Sequence, residues 1–139
     1  MEGRVLVEGS AEGVALVLDE PLSLWGGLDP ETGRIVQIGH PQLGADVGGR
    51  ILVMPSGRGS SSSATVLAEA IRLGTGPAGV VLREPDGILA VGSLVAAALY
   101  GRAVPLVVAS ADVYGSIADG ALVRVGASEG AVEIVRRPD

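Results

Sequence analysis

The chain of 139 residues contains no cysteine, no lysine and no phenylalanine. Without cysteine it can form no disulfide, present no thiol nucleophile and offer no thiolate to zinc or to an iron–sulfur cluster. Its ten basic residues are all arginine, which excludes a Schiff-base lysine and a Walker-type phosphate-binding lysine. With only Trp25, Tyr100 and Tyr114 as aromatics, the core must be built from Val, Leu, Ile and Ala. The arginines are scattered and the net charge is −6, so the basic stripe that nucleic-acid binding needs is missing. The longest uncharged apolar run, residues 87–101, is broken by glycine and shorter than the roughly 20 residues that span a bilayer. No cationic stretch followed by a long apolar one opens the sequence, so secretion is not expected and the cytoplasm is.

What is present predicts a folded chain. Hydrophobic residues make up 47% and charged residues 19%, a balance typical of globular proteins. The length suits a single domain, 1–139, burying roughly 70% of its unfolded surface. No linker and no internal repeat is visible. Residues 4–8 and 14–18 read as strands joined by a turn at 9–13, and 34–38 as a short strand after the turn signal DPETG. From residue 50 the pattern changes. Strand 50–54 leads to a helix over 61–73, whose Val66, Leu67, Ala70 and Ile71 recur at helical spacing. Strand 78–82, a strand fragment followed by a helix over 91–100, and strand 104–108 continue the alternation. That order requires parallel crossovers with helices covering the sheet. Segments 121–125 and 131–135 read as a hairpin turning at 126–130. The fold class is therefore α/β, a central parallel β-α-β-α-β unit flanked by antiparallel strands.

The segment PSGRGSSSS, residues 55–63, stands between the first strand of this unit and its helix. One serine suffices to cap a helix, so four in a row exceed the structural need. Glycines 57 and 59 allow a tight turn and close approach to a ligand. A helix start adds free N–H groups and partial positive charge, and together these suit a carboxylate or phosphate. A serine held there would ionise more readily. The spacing is not that of a P-loop, and no G-x-S-x-G elbow occurs. The one histidine, His40, lies in a separate loop. It reads as a plain loop residue, with ligand, substrate-contact or phosphohistidine roles as alternatives. Trp25 reads as a core plug, with a substrate-facing role left open by the glycines beside it. Asp29, Glu31, Asp86 and Asp119 each adjoin Gly or Pro and read as turn residues. No paired-carboxylate site and no metal cluster is visible. On residues alone, a non-catalytic anion-binding module and a phosphocarrier using His40 both remain open.

The motifs PLSLWGGLDPETGRI, HPQLG, GGRILVMPSGRGSSSSATVLAEAI and GPAGVVLREPDGILAVGSLVAAALYGRAVPLVV occur in this order. Over about residues 10–135 this resembles the small, swivelling subunit of aconitase X-type hydro-lyases. The resemblance implies a swivelling β/β/α domain and a heterodimer with a large subunit. The iron–sulfur cluster would be held by that large subunit, with none bound by this chain alone. The substrate would be a small phosphorylated or carboxylate molecule. In aconitase-like enzymes the serine after glycine in this segment acts as the base. That position is Ser60, with Gly59, Ser61, Ser62 and Arg58 as implied substrate contacts. The chain departs from aconitase at Ser62 and Ser63, where aconitase has Arg-Glu, and Arg58 is the implied replacement for the missing charge. Family members dehydrate either (R)-5-phosphomevalonate or cis-3-hydroxy-L-proline. The uninterrupted GSSSS and the separate small chain resemble the archaeal phosphomevalonate enzymes.

Overall fold

The computed structural model describes residues 4–126 and 131–138. In chain order the elements are β1 (Arg4–Val7), β2 (Ala11–Val17), a kinked turn α1 (Leu24–Gly27), β3 (Leu28–Asp29), β4 (Arg34–Ile35), β5 (Ile51–Met54), α2 (Ser63–Leu73), β6 (Gly79–Leu82), α3 (Gly87–Tyr100), β7 (Leu106–Val108), α4 (Ala111–Ser116), β8 (Leu122–Val125) and β9 (Val132–Arg136). Seven strands form one sheet in the order β1-β7-β6-β5-β2-β8-β9, and β3 and β4 form a separate ribbon.

The expected parallel unit is present as β5-α2-β6-α3-β7, and it is larger than expected. β2 joins it in parallel beside β5, with Ala15 opposite Ile51. β1 and β2 therefore do not pair across a turn at 9–13. β1 runs antiparallel to β7, and β2 is antiparallel to β8 on its other side. Ala15, Leu16 and Leu18 are all buried, and a run apolar on both sides belongs inside a sheet rather than at its edge. The β8–β9 hairpin forms as expected, and residues 127–130 of its connection lie outside the described residues.

Strand alternation sends side chains to two cores. Leu52, Met54, Val80, Leu82 and Leu106 pack with α2 and α3 on one face. Ile51, Val53, Val81 and Val107 pack on the other against Ile117, Val123 and Val125. Near-continuous apolar runs are the signature of strands covered on both sides.

Several boundaries differ from expectation for local reasons. α2 starts at Ser63, not 61, because the N–H of Ser62 is taken by the Ser60 hydroxyl at 3.0 Å and residues 60–62 form a preceding turn. α3 starts at Gly87 and replaces the expected strand fragment, because the Asp86 carboxylate accepts the N–H groups of Ile88 and Leu89 and nucleates the helix there. β7 begins only at Leu106, after Pro105, and the strand expected over 34–38 pairs only at Arg34–Ile35. α4 was not legible in the sequence, and Ser110 caps it by accepting the N–H of Val113. No helix among the described residues is long and apolar enough to cross a membrane.

α2 and α3 lie side by side and meet at Gly92. A Cβ there would fall 2.7 Å from the Ala64 carbonyl oxygen and 3.1 Å from its Cα. The next residue, fully buried Ser93, donates to the Val104 carbonyl at 2.7 Å and accepts the Val104 N–H at 2.9 Å, tying α3 to the approach of β7. Gly92→Ala should therefore lower stability by about 1–3 kcal/mol, as overpacking does, although alanine gains about 1 kcal/mol in helix propensity. A urea midpoint equal to or above that of the parent chain would show that the helices part without cost.

Candidate active site at the serine loop

The segments that follow β2, β5 and β6 converge at the carboxyl ends of these parallel strands, where α/β sheets characteristically bind ligands. They enclose a cavity of about 130 Å³ lined by Leu22, Arg58, Gly59, Ser60, Ser63 and Asp86 among others. A wider groove of about 470 Å³, reaching Ser61 and Val91, shares its Asp86 and Ile88 wall. The serine loop is pinned at its entry, where the Arg58 N–H donates to the Leu22 carbonyl at 3.2 Å. Gly59 has φ +97°, and a Cβ there would lie 2.6 Å from Ser23 Oγ. Its backbone conformation favours glycine, and any larger residue would also have to displace the Ser23 hydroxyl.

The four serines have different surroundings. Ser60 is exposed on the cavity wall. Its Oγ accepts the Ser62 N–H at 3.0 Å, a bond that favours the ionised form of the hydroxyl. Ser61 is exposed and lines the groove. Ser62 holds the N-cap position with helical dihedrals and no side-chain cap, and it is not among the residues lining the cavity or the groove. Ser63, not singled out from the sequence, is buried, and its Oγ accepts the Trp25 N–H at 3.2 Å.

The expected cradle at the helix start is displaced. The N–H groups of residues 63–66 are already bonded to carbonyls of Ser60, Ser61 and Ser62. The unbonded donors lie one step earlier: the N–H groups of Gly59, Ser60 and Ser61 find no partner among the described residues. Arg58 beside them makes no ion pair among the described residues. Successive backbone donors next to a guanidinium suit an anion.

Asp86, read as a turn residue, is a second residue that sequence reasoning missed. One carboxylate oxygen caps α3. The other stands against Gly57, where no side chain would fit. The signal was available in the pattern Asp-Gly followed by an apolar helix, which marks an N-cap. The cavity lining thus combines a guanidinium, free N–H donors, a carboxylate and a serine Oγ, a set that suits a ligand carrying an anionic group and a hydroxyl and that can move a proton.

His40 is a loop residue, as expected, whereas Trp25 differs from expectation. His40 is buried, with Nδ1 accepting the Gln42 N–H at 3.0 Å and Nε2 facing the Glu20 carbonyl at 3.2 Å. These partners select the neutral Nε2–H tautomer. A phosphoryl group on either nitrogen would break one of these bonds, so the histidine serves as a stitch between two loops. Trp25 is not a core plug: it is 60% exposed. Asp29 acts as the expected turn residue, accepting the N–H of Glu31; Asp119 stands in a turn and ties it to β2 by accepting the N–H of Val17. No grouping of three metal-ligating side chains occurs among the described residues.

Fold and site together define an α/β domain with a serine loop of free N–H donors at the end of a parallel strand. Residues 1–134 match the model of the aconitase X swivel domain, and the chain belongs to that family. It is 36% identical over 139 residues to the phosphomevalonate dehydratase small subunit of Pyrococcus furiosus, covering all of this chain and 98% of that one. It is 47% identical over 103 residues to the cis-3-hydroxy-L-proline dehydratase of Pseudomonas aeruginosa, 74% of this chain but only 18% of that enzyme. The crystal structure of holo-form aconitase X from Thermococcus kodakaraensis superimposes with a TM-score of 0.87 at 32% identity, over 97% of each chain.

Asp86→Ala should cost about 1 kcal/mol through loss of the α3 cap, whereas Asp86→Asn, which caps equally well, should leave the urea midpoint in place. Identical midpoints for the two variants would remove the capping role.

Proposed function

We propose that this chain is the small subunit of a heterodimeric hydro-lyase that dehydrates (R)-5-phosphomevalonate to trans-anhydromevalonate 5-phosphate, and that Ser60 is its base. The observation that carries the reading is the end-to-end correspondence with the Pyrococcus furiosus small subunit, joined to a serine whose Oγ accepts an N–H bond on a cavity wall.

In this reading the N–H groups of Gly59, Ser60 and Ser61 and the Arg58 guanidinium hold an anionic group of the substrate. Ser60, as alkoxide, removes the proton from the carbon α to the carboxylate, and the hydroxyl on the next carbon leaves as the double bond forms. The Ser62 N–H steadies the Ser60 oxygen before transfer, as a preorganised donor does. Ser61 offers its hydroxyl at the groove side. Cysteine is absent from the sequence, and the described residues hold no three-ligand grouping. The residues present therefore do not fit the iron–sulfur cluster that the resemblance implies. In this reading the cluster belongs to the large subunit, where it would supply Lewis-acid chemistry.

A second reading, dehydration of cis-3-hydroxy-L-proline, is favoured by the higher identity to the Pseudomonas aeruginosa enzyme within the shared segment. The two are separated by offering both substrates to the chain alone and to the anaerobically co-expressed complex. Turnover of phosphomevalonate by the complex only is expected, and turnover of hydroxyproline instead would transfer the assignment. In the active complex Ser60→Ala should lower kcat by about 10²–10⁴, the contribution of a positioned base, with little change in subunit affinity. Near-parental turnover of that variant would remove Ser60 from the mechanism.

A further inference from the structure

We infer that Trp25, together with Ile38, forms the anchor on which the large subunit docks. The inference rests on the two-subunit reading above, because the occupant is the body that completes the serine-loop site. Trp25 is the chain's one tryptophan, and it is held out by construction rather than by looseness. Its N–H donates to Ser63 Oγ at 3.2 Å, and its carbonyl accepts Ser23 Oγ–H at 3.1 Å. Gly26 follows at φ +78° and breaks the turn. Ser23 Oγ is also the atom that closes in on Gly59, so the tryptophan backbone is joined to the serine loop at both of its ends.

The neighbouring segment extends the apolar surface. The Val36 N–H donates to the Gly27 carbonyl at 2.8 Å, and the Ser23 N–H donates to Gln37 Oε1 at 3.1 Å. These bonds lay residues 35–38 alongside residues 23–27. Ile38 is 90% exposed there. Two segments held together by these bonds each leave a large apolar side chain in solvent, Trp25 and Ile38, and tryptophan is among the residue types most enriched where interfaces concentrate their energy.

A second exposed apolar face competes for the partner: Val91, Leu94, Val95 and Leu99 along α3. That stripe begins beside the site, where Val91 lines the groove that Ser61 reaches, and then runs away from it: Leu99 lies about 18 Å down the helix from Gly87 at 1.5 Å per residue. Trp25 is tied through Ser63 to the start of the helix that follows residues 59–61, so a body that closes over their free N–H groups comes down near Trp25, whereas it can do so without reaching Leu99. The partner is therefore a larger protein surface that offers an apolar recess next to the remainder of the anion site.

The test titrates this chain against its cognate large subunit without substrate and follows assembly by sedimentation. Trp25→Ala should weaken the complex by about 30-fold or more, the range of an interface hot spot. Ile38→Glu should weaken it by about tenfold or more by burying a carboxylate in an apolar contact. Leu99→Glu should leave affinity within about twofold. Both docking variants should keep the parental urea midpoint, since neither side chain is buried. Parental affinity of Trp25→Ala and Ile38→Glu overturns the inference, as does loss of assembly in Leu99→Glu alone or self-association of the isolated chain through Trp25. Assembly that depends on Trp25 in a complex that dehydrates neither substrate upholds the interface and removes the reaction. Dehydration by a Trp25→Ala complex of parental affinity does the reverse.

Discussion

Strand β5 is covered on both faces, and the rest of the chain is arranged around that requirement. Ile51 and Val53 enter one core and Leu52 and Met54 the other, while β2 and β6 occupy its two hydrogen-bonding edges. A strand enclosed in this way has only its ends open. The chain leaves β5 at its carboxyl end through Pro55 and Ser56 into the serine loop, so a strand enclosed on both faces and both edges sets where that loop begins. The companion strands β2 and β6 deliver Ser23 and Asp86 to the same end. In the proposed reading, a fixed frame under a glycine-containing loop is what holds the Ser60 hydroxyl in place.

The site so formed is one-sided in charge as well as in shape. A phosphate monoester carries about −1.5 to −2 at neutral pH, and a carboxylate adds to it. One guanidinium and a short row of N–H dipoles cannot neutralise that alone, and the chain's net charge of −6 works against long-range attraction of anions. In the proposed reading the remaining positive charge comes from the large subunit. The small subunit then contributes selectivity through the close fit of Gly57 and Gly59 and reactivity through Ser60.

Legibility in the sequence followed the range of the forces involved. β5, β6 and α2 could be read because apolar runs and helical spacing are local signals. The partners of β1 and β2 could not, since which strand lies beside which is decided by burial across the whole sheet. The strand fragment expected at 88–90 was a misreading of three apolar residues that Asp86 had already committed to a helix. The serine loop could be read as a candidate anion site because glycine, arginine and serine have distinct chemistry wherever they stand. Which of its N–H groups are free could not, because only the geometry reveals that the serine carbonyls use up the first N–H groups of α2. Trp25 was placed in the core on the ground that the chain is poor in aromatics. Its exposure depends on backbone bonds to Ser63 and Ser23 that no local pattern announces, and the buried ring of His40 depends likewise on Glu20, 20 residues earlier.

The close approach of α2 and α3 at Gly92 has one more effect. The serine loop and Asp86 stand at the starts of these two helices, so the walls of the cavity belong to a single block. Conformational entropy lost in aligning them is lost when the chain folds, not when a ligand arrives. In the proposed reading, a substrate meeting this half of the site encounters walls already aligned, and the free energy of contact goes into affinity and into the approach of the other half.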